Sequence, residues 1–124
     1  MIASAITAAL VTRGYYEVSE GSLDDSDLIT AFITALEKLR PARVATINRD
    51  PEFAWIFARI SEDDGLGHLD PEDQADVDYF LWEYLWTELA NAAPAGCIFC
   101  ASEGNASLFW FIKEDLLCKF QTAD

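Results

Sequence analysis

The sequence predicts an α+β domain, with four or so helices packed on a small antiparallel sheet that contains a C-terminal β-hairpin. Three observations predict it. Several segments carry apolar residues at i, i+3, i+4 and i+7, the helical period. Gly96 to Ala101 and Ser107 to Lys113 read instead as two strands around the turn-forming Glu103-Gly104-Asn105. The 124 residues are 52% hydrophobic and 13% aromatic. That apolar mass suits one domain, 1–124, and a domain of this size buries roughly two thirds of its unfolded surface.

The first helix is expected near the start. Ile2, Ala5, Ile6, Ala9 and Leu10 follow helical spacing, and Gly14 suits a C-terminal cap. No positive n-region precedes this stretch, and it is shorter than the ~20 apolar residues of a membrane span, so the expected location is cytoplasmic. Tyr15 to Val18 reads as a short strand. Ser22-Leu23-Asp24-Asp25 reads as a helix start with Ser22 as cap, and Asp24, Asp25 and Asp27 suit the positive end of the helix dipole. Leu28, Ile29, Phe32, Ile33, Leu36 and Leu39 form its apolar face, and Pro41 is expected to stop it.

Arg43 to Ile47 reads as a strand. Asp50-Pro51-Glu52 then reads as a helix start, with Asp as cap and Pro at the first helical position. Phe53, Trp55, Ile56, Phe57 and Ile60 make that helix apolar nearly all round and central to the core. After an acidic loop, Asp70-Pro71-Glu72-Asp73 repeats the start signal for the longest helix, roughly 71–92. Its core stripe is Val77, Phe80, Leu81, Tyr84, Leu85, Leu89 and Ala92. Glu72, Asp76 and Glu83 cluster on a second side, and Tyr79, Trp82 and Trp86 on a third. Either the helix is sandwiched within the fold, or the aromatic third side meets a partner. Leu108-Phe109-Trp110-Phe111-Ile112 is apolar on both faces, which predicts a strand covered on both sides. Asp115 to Phe120 reads as a short tail element.

Charge excludes some partners. The chain has 8 Lys plus Arg against 22 Asp plus Glu, a net charge of −14. Direct nucleic-acid binding needs clustered Lys and Arg, and an anionic membrane repels such a chain. The charge is also segregated. No Lys or Arg lies between Arg59 and Lys113, an interval holding 11 acids, whereas the first 59 residues hold 8 acids and 6 basic residues. Eight of those 11 acids fall between Glu62 and Asp78. Solubility alone is served by mixed signs, and concentrated like charge opposes folding. Two readings of the acids stay open: a merely solubilising face, as in many small acidic proteins, or a surface that imitates nucleic-acid phosphates. The candidate partner-binding residues are Glu62, Asp63, Asp64, Asp70, Glu72, Asp73, Asp76, Asp78 and Glu83, with the aromatic anchors Tyr79, Trp82 and Trp86.

Catalytic and metal chemistry find little support. The sole His, His68, has no nucleophile motif beside it, and Gly65-Leu66-Gly67 is no phosphate-binding fingerprint. Glu62 to Asp73 has the length of a calcium loop, with Gly67 at its sixth position, but it departs at positions 1, 5 and 12. Cys97 and Cys100 lie at i and i+3 of a strand, so their thiols point to opposite faces. With Cys118 they read as buried free thiols. The expectation is a non-enzyme without cofactor or metal.

The stretch from Glu88 to Phe111 carries a helix-to-hairpin pattern. Ala93, Pro94, Gly96 and Phe99 are followed by Gly104, Asn105, Ser107, Phe109 and Phe111. This pattern resembles a segment of small uncharacterised acidic proteins of phages and other mobile elements. Cys100 and Trp110 stand where those proteins usually have Gly, and Asn105 replaces an acid. The resemblance implies a structural unit and an origin in mobile DNA, where small acidic proteins often inhibit host defence. The leading functional expectation is thus an anti-CRISPR or anti-restriction inhibitor that blocks a basic protein or nucleoprotein complex. The alternatives are an immunity protein neutralising a basic nuclease toxin, and a structural protein that forms a homodimer or larger homo-oligomer through its aromatic face.

Overall fold

The computed structural model describes residues 5–62, 65–102 and 104–116. Among them six α-helices, one π-helical stretch and three strands follow in the order α1 (Ala5–Thr12), β1 (Tyr15–Ser19), α2 (Asp25–Leu39), α3 (Pro41–Asn48), α4 (Ala54–Ile60), α5 (Pro71–Asp78), the π stretch (Tyr79–Leu85), α6 (Trp86–Ala92), β2 (Cys97–Ser102) and β3 (Asn105–Lys113). The fold is α+β, as the periodicities predict. The strands form one antiparallel sheet in the order β1-β3-β2, with β2 and β3 as the C-terminal hairpin.

Local signals explain most boundaries. α1 ends at Gly14, whose φ of +86° belongs to the left-handed region that favours glycine. The Asp24 side chain accepts from the Asp27 N–H at 3.2 Å and caps α2. Ser22 is not the cap but lies two residues before it: its hydroxyl donates to Asp27 and accepts from the Asp24 N–H. Asp70 caps α5 by accepting from the Asp73 N–H at 2.8 Å, with Pro71 at the first helical position.

Two expectations are corrected between residues 41 and 54. Arg43 to Ile47 is not a strand but the body of α3. Pro41 does stop α2, which ends at Leu39, and its fixed φ also opens the next helix after a break at Arg40. Val44 and Ile47, three apart, are both buried, and this spacing outweighs their β-branching. Asp50-Pro51-Glu52 forms a turn rather than a helix start. The Asp50 carboxylate accepts from the Glu52 N–H, and α4 begins only at Ala54.

The expected long helix 71–92 exists, assembled from α5, the π stretch and α6. It is sandwiched between two aromatic clusters. On one side, Phe32 of α2 is fully buried, with ring centroids 5.3 Å from Phe99, 5.7 Å from Phe109, 6.3 Å from Trp86 and 6.5 Å from Trp82. On the other, Phe80 lies 4.3 Å from Phe53 and 5.7 Å from Phe57, and Tyr84 lies 4.8 Å from Phe53. Edge-to-face pairs of this kind add about 0.5–1.5 kcal/mol each beyond the area they bury. In α4 itself only Ile56 is fully buried, beside the buried Phe53 that precedes it; Trp55, Phe57 and Ile60 are half-buried. β3 is covered on both faces, since Leu108 and Ile112 are buried as well as Phe109 and Phe111.

Cys97 and Cys100 are half-buried rather than buried, because β2 is an edge strand. Burial pushes the Cys97 thiol above its ordinary range, against the opposing pull of Lys113. Cys118 and most of the expected tail element lie outside the described residues, of which 114–116 are helical. Among the described residues no helix is long and apolar enough to cross a membrane.

Candidate acidic interface

Glu72, Asp76 and Glu83 stand exposed on the long helix. Tyr79 stands with them. The ring is 48% exposed and lines a small pocket with Glu52, Phe53, Trp55, Ile56 and Asp76. It also lines a shallow groove with Glu83, Tyr84, Thr87 and Glu88. Tyr79 thus sits in the middle of a row of carboxylates. The sequence grouped it with Trp82 and Trp86, and the structure separates them. Residues 79–85 turn as a π-helix, whose wider turn advances less than the 100° per residue of an α-helix. Trp86 is half-buried against Phe99 at 4.7 Å, and Trp82 lies 5.7 Å from Phe109 at the rim of the sheet, 38% exposed. These two rings therefore mainly join the helix to its own sheet.

The remaining acids divide by what they touch. Asp70 is occupied as a cap. Asp73 is half-buried beside it in the first turn, where negative charge is favoured. Asp78 accepts from Gln74 Nε2 at 3.0 Å, and the same amide donates to Asp25 at 2.9 Å, so Asp78 faces α2. Glu62 lies 3.8 Å from Arg59. Asp63 and Asp64 lie outside the described residues. Glu62, Asp70 and Asp78 remain exposed despite these contacts, and Glu72, Asp76 and Glu83 are the exposed acids that flank Tyr79. None of these last three carboxylates enters an ion pair among the described residues.

Two contributors were missed by sequence reasoning. Glu52 reaches the row from the turn before α4, and no local motif marks it. Arg43 crosses from α3 to Glu88 at 2.6 Å and to the Tyr84 hydroxyl at 2.8 Å. Its misreading as a strand residue hid this contact. The Arg43 clamp holds the last turn of the π stretch against α3. Burial holds the Tyr84 phenol above its usual range, more strongly than the adjacent Arg43 lowers it. The arrangement offers carboxylates and one aromatic face to a cation, and it assembles no nucleophile with a base.

Comparison with protein-family models, with curated proteins and with solved structures gives no match to this chain.

Proposed function

We propose that the protein is a non-enzymatic inhibitor that covers a basic, nucleic-acid-binding surface on a protein or nucleoprotein complex. The row Glu72-Asp76-Tyr79-Glu83 makes the contact. The observation that carries this reading is the unneutralised state of that row on a helix otherwise locked into the core. Carboxylates held on a rigid helix present negative charge at fixed spacing, as a phosphate backbone does. Tyr79 adds an apolar, cation-accepting centre that charge alone lacks. The resemblance of residues 88–111 to mobile-element proteins favours an anti-CRISPR or anti-restriction role in the host cytoplasm. An immunity protein would use the same row against a basic nuclease.

The test is competition with duplex DNA. A captured nucleic-acid-binding protein is offered the full chain and DNA together. Inhibitor and DNA exclude each other in this reading, and Glu72→Gln/Asp76→Asn/Glu83→Gln abolishes the exclusion. Simultaneous binding of both ligands contradicts it.

A further inference from the structure

The chain concentrates positive charge in one place. Arg40, Arg43 and Arg49 put three of its 8 Lys plus Arg residues within ten positions. Two shallow grooves run along α3 there. The first is lined by Arg40, Ala42, Arg43 and Thr46, the second by Thr46, Arg49 and Asp50. The guanidiniums are oriented by the protein. Arg40 Nη2 donates to the Asn91 carbonyl at 3.0 Å, and Arg49 Nε donates to the Ala45 carbonyl at 3.1 Å. Each retains further N–H donors, and neither enters an ion pair among the described residues.

This basic strip borders the acidic row. Arg43 and Glu88 meet at the border, and Glu88 lines the same groove as Tyr79 and Glu83. At the other end, Asp50-Pro51-Glu52 leads from the Arg49 groove to the pocket of Glu52, Asp76 and Tyr79. Two parallel strips of opposite sign are self-complementary. A half-turn about an axis lying along their border places each strip over its opposite, which is the condition for an isologous dimer.

We infer that this surface pairs two copies of the chain, with the α3 arginines of each on the acidic row of the other. Arg49 faces Glu52, Asp76 and Glu83 of the second copy, where a guanidinium stacks on its exposed Tyr79, and Arg40, held at Asn91, faces the Glu88 end of that row. Arginine suits this role because its planar, weakly hydrated cation both stacks and accepts carboxylates. The inference does not rest on the inhibitor reading and stands even without a foreign target. If both hold, the dimer covers the acidic row until a more basic surface displaces it.

Two electrostatic effects oppose each other here. At about 0.01 M salt the Debye length is about 30 Å, so two chains of charge −14 repel as whole molecules. At about 1 M it is about 3 Å, and the contacts themselves are screened. The dimer is therefore most populated near 0.1 M. An apolar dimer would instead persist at high salt.

The experiment is sedimentation velocity of the full chain at roughly 0.01, 0.1 and 1 M NaCl. The expected result is a dimer fraction that peaks at the middle concentration. Arg40→Glu/Arg49→Glu and Asp76→Lys/Glu83→Lys each weaken association by at least about tenfold, equivalent to about 1.4 kcal/mol. Mixing the two variants restores a heterodimer, because the reversed strip of one then meets the reversed row of the other. Arg49→Ala and Tyr79→Ala, which reverse no charge, also weaken the dimer and serve if a reversal variant fails to fold. Monomers at all three salts overturn the inference. So do a dimer that only grows with salt, and reversal variants that still pair.

Discussion

The packed faces of helix 71–92 and its one exposed face differ in almost every respect. Phe80, Leu81, Leu85 and Leu89 are buried, and Trp82 and Trp86 bridge to the sheet through Phe32, Phe99 and Phe109. Glu72, Asp76, Tyr79 and Glu83 stand exposed along the other side. The first side holds apolar groups in dense contact, which is where stability comes from. The second holds like charges that repel one another, with only Glu72 placed in a first turn where the helix dipole favours it. The difference teaches that one element divides its duties by face. Substitutions on the packed side act on folding, and under the proposed function those on the exposed side act on recognition.

The largest expected effect tests the packed side. Phe32→Ala removes a fully buried ring that touches both tryptophans and two strand residues. Urea denaturation is expected to show a loss of about 3–5 kcal/mol. A loss near 1 kcal/mol would mean that the sheet and helix hold together without this junction.

A smaller effect is expected where the sides meet. Tyr84→Phe keeps the ring and removes the acceptor of an Arg43 hydrogen bond, at a cost of about 1 kcal/mol. This phenol also sets a pH dependence. Its folded pKa is raised above the unfolded value of about 10, so its stabilising contribution is complete below that pH. The contribution is lost as pH rises through the raised value. Thermal melts between about pH 9 and 11 should show a steeper alkaline fall in the natural protein than in Tyr84→Phe. Equal slopes would contradict a phenol held up by partial burial.

The smallest effect on folding belongs to the exposed side. Glu72→Gln/Asp76→Asn/Glu83→Gln should change stability by no more than about 0.5 kcal/mol, with a slight gain from relieved repulsion. Calorimetry checks it. A loss above about 2 kcal/mol would show that these acids are structural and would erase the contrast between the sides.

Sequence alone revealed the packed side well and the exposed side in part. Leu28, Phe32, Leu36, Phe80 and Leu89 announce themselves by helical spacing, and burial confirms each. The caps at Asp24 and Asp70 and the glycine at Gly14 are short-range devices, so they are readable within a few residues. α3 was misread because Arg43 to Ile47 contains β-branched residues over too short a window for its helical period to emerge. The phase of Tyr79 was misread because a π stretch carries no sequence signature that pattern reasoning uses. Glu52 and Arg43 reach the helix from other parts of the chain, and only the fold brings them there. The division of the acids by what they touch was hidden for a different reason. An Asp that caps, such as Asp70, and an Asp that faces solvent, such as Asp76, look the same in a charge count.

In the proposed function the exposed acids act on a basic partner while the packed faces hold the fold. The most direct measurement is affinity capture from host lysate with the natural chain and with Glu72→Gln/Asp76→Asn/Glu83→Gln. Retained proteins are identified by mass spectrometry and re-bound at about 0.1 M and about 0.5 M salt, with and without duplex DNA. The account predicts a nucleic-acid-binding protein that the natural chain holds at the lower salt, that higher salt or DNA releases, and that the variant does not retain. A partner held equally by the variant, or untouched by salt and DNA, would contradict it.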